Sequence, residues 1–99
     1  MKVAFTTHAV TRLRQIHNYI SDDSPENADR LVARIIRRAE SLAEQPLRGR
    51  AVPEFDRDDI REVRERPYRI IYRVGADEMK ILSVMHERRL LPADLSGLR

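Results

Sequence analysis

The spacing of apolar residues changes twice along this chain, and each change marks a new element. From Lys2 to Thr6 apolar and polar residues alternate, with Val3 and Phe5 on one side, and a period of two predicts a short strand. Ala9, Leu13, Ile16 and Ile20 then recur at helical spacing, which predicts an amphipathic helix over 8–21 with Thr7 as its N-cap. Ser21-Asp-Asp-Ser-Pro25 interrupts it. Ser24-Pro25-Glu26 restarts a helix with a capping hydroxyl, a proline at the first helical position and an acid at the positive end of the dipole. From there Ala28, Leu31, Val32, Ile35, Ile36, Ala39, Leu42 and Ala43 trace a wide apolar stripe, and Pro46 sets the end near Gln45. Two such helices joined by a short turn form an αα-hairpin.

Beyond Pro46 the period returns to two. Residues 46–59 read as a loop with Gly49, Pro53 and a mix of acids and arginines, with room for a short strand near Arg50 to Pro53. Three strands follow, at Ile60 to Glu65, Tyr68 to Val74 and Met79 to His86, and Gly75 to Glu78 joins the last two as a hairpin. In the middle strand Tyr68, Ile70, Tyr72 and Val74 share one face, and Arg69, Ile71 and Arg73 share the other. The last strand is apolar on both faces, alternation pairing Ile81 with Met85 and Leu82 with Val84, as suits a central position. Pro92 to Leu98 reads as a helical turn or a tail. The fold class is α+β: an N-terminal strand, then a helical hairpin packed on one face of a small antiparallel sheet, in a single domain over 1–99.

Composition narrows the class. A chain of 99 residues buries somewhat over ~60% of the surface its unfolded form exposes, enough for one core without staples. With no cysteine there is no disulfide framework and no thiol nucleophile. The first residues contain no apolar signal region, and no apolar run is long enough to span a membrane, so the expectation is a soluble, cytoplasmic protein with no membrane contact. The net charge is only +3, because 16 acids offset 19 basic residues; a balance this even does not by itself point to nucleic acid. All the basic residues except Lys2 and Lys80 are arginine, whose planar fork suits carboxylate or phosphate. The three histidines lack metal-ligand spacing, so neither a metal nor a cofactor is expected.

Several of these segments together resemble a known family. Ile16-His-Asn-Tyr-Ile20 is similar to its "I-x-x-Y-I" helix end, and Ser24-Pro-Glu-Asn-Ala28 opens the second helix as its members do. Leu42-Ala-Glu-Gln-Pro46 with Gly49-Arg50, then Ile60-Arg-Glu-Val63, Tyr68-Arg-Ile-Ile-Tyr72 and His86-Glu-Arg-Arg89, follow in its order and spacing. The chain resembles the RelE/ParE toxin superfamily, within it the ParE (plasmid stabilisation) branch, across about eighty residues. The resemblance implies the toxin of a type II toxin-antitoxin module, neutralised by a cognate ParD-like antitoxin in a hetero-oligomer. ParE-like members are held to poison DNA gyrase; RelE-like members cleave ribosome-bound mRNA. A shared fold does not choose between the two.

The residues favour a gyrase-binding protein over a nuclease. Cleaving RNA without a metal needs a base, an acid and cations around the phosphate. Arg69 stands where the RelE-like signature strand carries a site arginine, and His86 where a lysine is usual. Neither Lys2 nor Lys80 matches a site position, and no tyrosine follows Tyr72. A nuclease site would have to be built from His86, Arg69 and Arg89, with Glu62 or Glu65 as the acidic partner; no catalytic set is firm. A third reading is a non-toxic member of the fold. Arg61, Arg64 and Arg66 interleave with Glu62 and Glu65 as a cross-strand charge ladder, and Glu26 pairs with Arg30 at i,i+4. Arg69 and Arg73 call for acids, either those of 54–59 or a partner's. The expected partner surface is therefore Arg61, Arg69, Arg73, His86, Arg88 and Arg89, facing an acidic antitoxin segment that folds on binding.

Overall fold

The computed structural model describes residues 1–89. Seven elements follow one another: β1 (Lys2–Phe5), α1 (Thr7–Ser21), α2 (Pro25–Ser41), β2 (Arg50–Ala51), β3 (Ile60–Glu65), β4 (Tyr68–Val74) and β5 (Glu78–His86). The strands form one sheet in the order β1-β5-β4-β3-β2. β2 through β5 pair antiparallel, as expected, but β1 joins the edge of β5 in parallel. The expected turn or tail at Pro92 to Leu98 lies outside the described residues.

Local chemistry explains the helix ends. Thr6, not Thr7, caps α1: its backbone stays extended and its hydroxyl accepts from the Ala9 N–H. Ser24 caps α2 by accepting from the Asn27 N–H, with Pro25 in the first turn. α2 stops at Ser41, short of Gln45. There Leu42 N–H bonds Ala39 and Ala43 N–H bonds Glu40, a three-residue spacing that tightens the chain out of α-geometry before Pro46. Glu26 turns back to the Ser24 hydroxyl, and Arg30 reaches Asn27, so the expected Glu26–Arg30 pair does not form.

Both faces of the sheet are covered. Tyr68, Ile70 and Tyr72 of β4 meet Leu13 and Ile16 of α1 and Leu31 and Ile35 of α2 in the main core. On the opposite face Val52 and Phe55 of the 52–59 loop pack against Ile60, Ile71, Leu82 and Met85. The loop is therefore a second layer. The faces of β5 also differ from simple alternation. Ile71 pairs with Ser83 but Tyr72 pairs with Ile81, leaving Leu82 as an extra residue. That bulge inverts the alternation, so Ile81 and Val84 face the helices while Leu82 and Met85 face the loop.

Candidate functional site

The middle strand puts Arg69 on the loop face, in register with Met85 and diagonal to Glu62 of β3. Its residue is 4% exposed. A guanidinium has five N–H donors, and Arg69 uses all of them. Nε and Nη2 donate to Glu62 Oε2, Nη1 and Nη2 each donate at 2.9 Å to the two Glu54 oxygens, and Nη1 also reaches the Arg89 carbonyl. The hydrogen bonds that Arg69 donates to Glu54, and then those to Glu62, raise its pKa against the opposing effect of burial. Glu62 also accepts from Arg50 of β2, at 2.8 Å. The loop, both edge-side strands and the end of β5 are thus tied to one cation. Arg69 meets an acid of the 54–59 segment, one of the two options its sequence left open.

The other arginines of this region are held in different ways. The cross-strand charge pairing expected over 61–66 forms at Glu62, which binds Arg50 of β2 and Arg69 of β4, while its neighbours find other partners. Arg61 donates to the Gly49 carbonyl, Arg64 and Arg66 both pair with Glu87, and Glu65 lies 4.0 Å from Arg34 of α2. Arg73 is half-buried opposite Ile60, beside Asp59. The Asp59 pKa is lowered, first by its hydrogen bond to Arg57 and in smaller part by the charge of Arg73.

His86 pairs in register with Tyr68, so it lies on the helix face, opposite Arg69. Its ring meets Tyr68 edge-on, with centroids 5.8 Å apart. His86 Nδ1 accepts from the Arg88 N–H, which leaves the ring proton on Nε2. The nuclease set His86, Arg69 and Arg89 is therefore split across the sheet. Neither Glu62, spent on two arginines, nor Glu65, drawn toward α2, stands by His86. Arg88 and Arg89 are exposed. Among the described residues no three His, Asp or Glu side chains converge as a metal site would need.

One contact at the free edge of β5 was not foreseen. His8 Nε2 lies 3.1 Å from the Oγ of Ser83, a residue only 1% exposed. Burial, and secondarily the charge of Arg12, lower the His8 pKa. A histidine with a depressed folded pKa binds fewer protons folded than unfolded between that value and its unfolded value near 6.5. Stability should therefore fall as pH drops below about 6.5, and levels out below the folded pKa. Urea unfolding across pH 5 to 7.5 should show this slope, and His8→Gln should flatten it.

With this geometry in view, the comparisons are informative. A family model described as the ParE toxin of the type II toxin-antitoxin system parDE matches residues 3–91. Y4kP of Sinorhizobium fredii, described as a candidate toxin, is 38% identical over 96 residues, covering 92% of this chain and 93% of its own. Toxin RelE2 of Caulobacter vibrioides is 37% identical over 89 residues, covering 90% and 98%. Among solved structures, a chain of the chromosomal ParDE system of P. aeruginosa is similar at TM-score 0.72 and 26% identity, covering 87% of this chain and 95% of that one. A chain of the RelBE2 toxin-antitoxin complex of Mycobacterium tuberculosis gives TM-score 0.65 and 27% identity, covering 87% and 96%.

Proposed function

The chain belongs to the ParE toxin family of type II toxin-antitoxin systems, and from that premise we propose that it acts as a binding toxin on DNA gyrase and does not cleave messages. The carrying observation is the full commitment of Arg69. A cation meant to stabilise a strained phosphate needs free donors at the place where charge develops. Here all of its donors point at two carboxylates and a carbonyl, and those carboxylates would repel a phosphate. The placement of His86 on the opposite face supports the same reading.

We further infer a cognate, ParD-like antitoxin with an acidic segment. Both solved neighbours come from toxin-antitoxin systems. Arg88 and Arg89 are exposed cations, and Arg61, Arg73 and His86 present half-buried donors nearby. Arg69 would enter such an interface only by giving up Glu54. Association driven by these charges should be fast and should slow with added salt. The gyrase reading is tested with purified toxin, gyrase and relaxed plasmid. Supercoiling should be lost, and protease treatment should release linear DNA from trapped cleavage complexes. Unchanged supercoiling with no linear product would contradict it.

A further inference from the structure

At 100° per residue, His8, Arg12, Gln15 and Tyr19 fall within about 60° of arc on α1. They form a stripe about 16 Å long. That stripe runs beside the half of β5 that β1 does not cover, because β1 pairs with β5 only as far as Ile81. Side chains of the α1 segment close this free edge. The Thr6 hydroxyl donates to the Leu82 carbonyl, His8 meets Ser83, and Arg12 Nε donates to the Val84 carbonyl at 3.1 Å.

The stripe offers donors with no acid to receive them. Arg12 spends Nε on Val84 and Nη1 on Gln15, while its Nη2 bonds nothing among the described residues. Arg89 is close enough for its charge to lower the Arg12 pKa, second to burial. Among the described residues neither guanidinium has a carboxylate partner. His86, whose ring meets Tyr68 edge-on, stands at the same end of β5. At the far end the ring of Tyr19 is 79% exposed. It walls a cleft of about 350 Å³ whose other sides carry Asp22, Asp23 and Asn27.

We propose that His8, Arg12, Gln15 and Tyr19, with His86 and Arg89 at the end of β5, form a docking track for a single nucleic-acid strand. Phosphate groups sit at Arg12, whose Nη2 bonds nothing among the described residues, and at Arg89. A base stacks on Tyr19, and its amino edge faces the acceptors of the neighbouring cleft. Stacking on an exposed ring requires an unstacked base, which selects single strand over duplex. The acids at 22 and 23 would repel phosphate, so the backbone runs from Arg12 toward Arg89 and only the base enters the cleft. No bond is broken at this surface. The track is independent of the gyrase reading, although it shares His86 and Arg89 with the antitoxin surface proposed above.

The test is fluorescence anisotropy of free, full-length toxin with labelled oligodeoxycytidylate, whose bases carry an amino edge, its ribose counterpart oligocytidylate and a duplex of equal length. Both single strands should bind more tightly than the duplex, and comparing them tells whether the 2′-hydroxyl matters. Tyr19→Ala should weaken binding about tenfold, and Tyr19→Phe should restore it. Arg12→Gln should weaken binding and lower the salt slope by roughly one phosphate. Arg14→Gln, the same charge loss on the opposite side of α1, should change little. Because Arg12 also holds the Val84 carbonyl, the surface variant Tyr19→Ala keeps the test independent of folding. Equal losses from Arg12→Gln and Arg14→Gln, or no effect of Tyr19→Ala, would overturn the proposal. So would poly-glutamate displacing the strand with an affinity that ignores Tyr19, which would make the surface a protein interface.

Discussion

Arg69→Met should cost about 3–5 kcal/mol of folding stability, the scale for removing one partner from a buried ion pair. The Glu62 side chain is 0% exposed, and that of Glu54 is 21% exposed. Without Arg69, Glu62 keeps only Arg50, whose side chain is 59% exposed and so compensates a buried charge poorly. Glu54 can swing into solvent; Glu62, on the strand, cannot. The large loss is therefore the penalty for stranding Glu62, not the net worth of the pair. Adding Glu62→Leu to Arg69→Met should recover most of it, because apolar residues of similar volume often replace a buried pair without loss. Urea unfolding of the singles and the double, read as midpoint shifts at constant slope, checks both statements. A single-mutant loss below about 1 kcal/mol is what a surface pair would give, and it would mean the network is not buried in solution.

Gly49→Ala should cost roughly 1–3 kcal/mol by overpacking, although nothing about its backbone demands glycine. Among the described residues no glycine has positive φ; the constraint at Gly49 is space. A Cβ there would stand 2.5 Å from the Glu62 carbonyl oxygen and 2.5 Å from the Tyr72 hydroxyl. Neither neighbour yields cheaply. The carbonyl belongs to β3, and the hydroxyl accepts from Gly49 N–H at 2.9 Å while donating to the Pro46 carbonyl at 2.7 Å. These two bonds pin the segment after α2 to the sheet. Burial raises the Tyr72 pKa, with the Gly49 N–H opposing it. Tyr72→Phe alone should cost about 1–3 kcal/mol by stranding buried backbone groups. The two changes together should cost less than their sum, since both break the same lock. Strict additivity in thermal or urea unfolding would show that the lock does not exist.

The elements that were readable beforehand had a clear period and a clear stop. β3 and β4 lie where alternation placed them, bounded by Asp59, Arg66-Pro67 and Gly75. Both helices begin where a hydroxyl precedes the apolar stripe. What stayed hidden was decided by partners distant in sequence. Ile81 to Met85 is apolar throughout, Ser83 apart, so no period records the Leu82 bulge. β1 carries four residues and nothing that shows whether it joins its neighbour parallel or antiparallel. Val52 and Phe55 are too few to read as a layer, yet they pack on Ile60, Ile71, Leu82 and Met85 of the second face. The same holds for the site. The charge of Arg69 demanded acids and the 54–59 segment offered them, but that Glu62 would join, and that His86 would stand across the sheet, follow from register.

With Arg69 held as a structural cation by Glu54 and Glu62, toxicity is expected not to pass through message cleavage. Primer extension on a defined message, translated in vitro with and without added toxin, tests it most directly. The account predicts full-length products at every toxin concentration that abolishes gyrase supercoiling in a parallel reaction. New stops within the translated region, dependent on ribosomes and removed by His86→Ala, would contradict it.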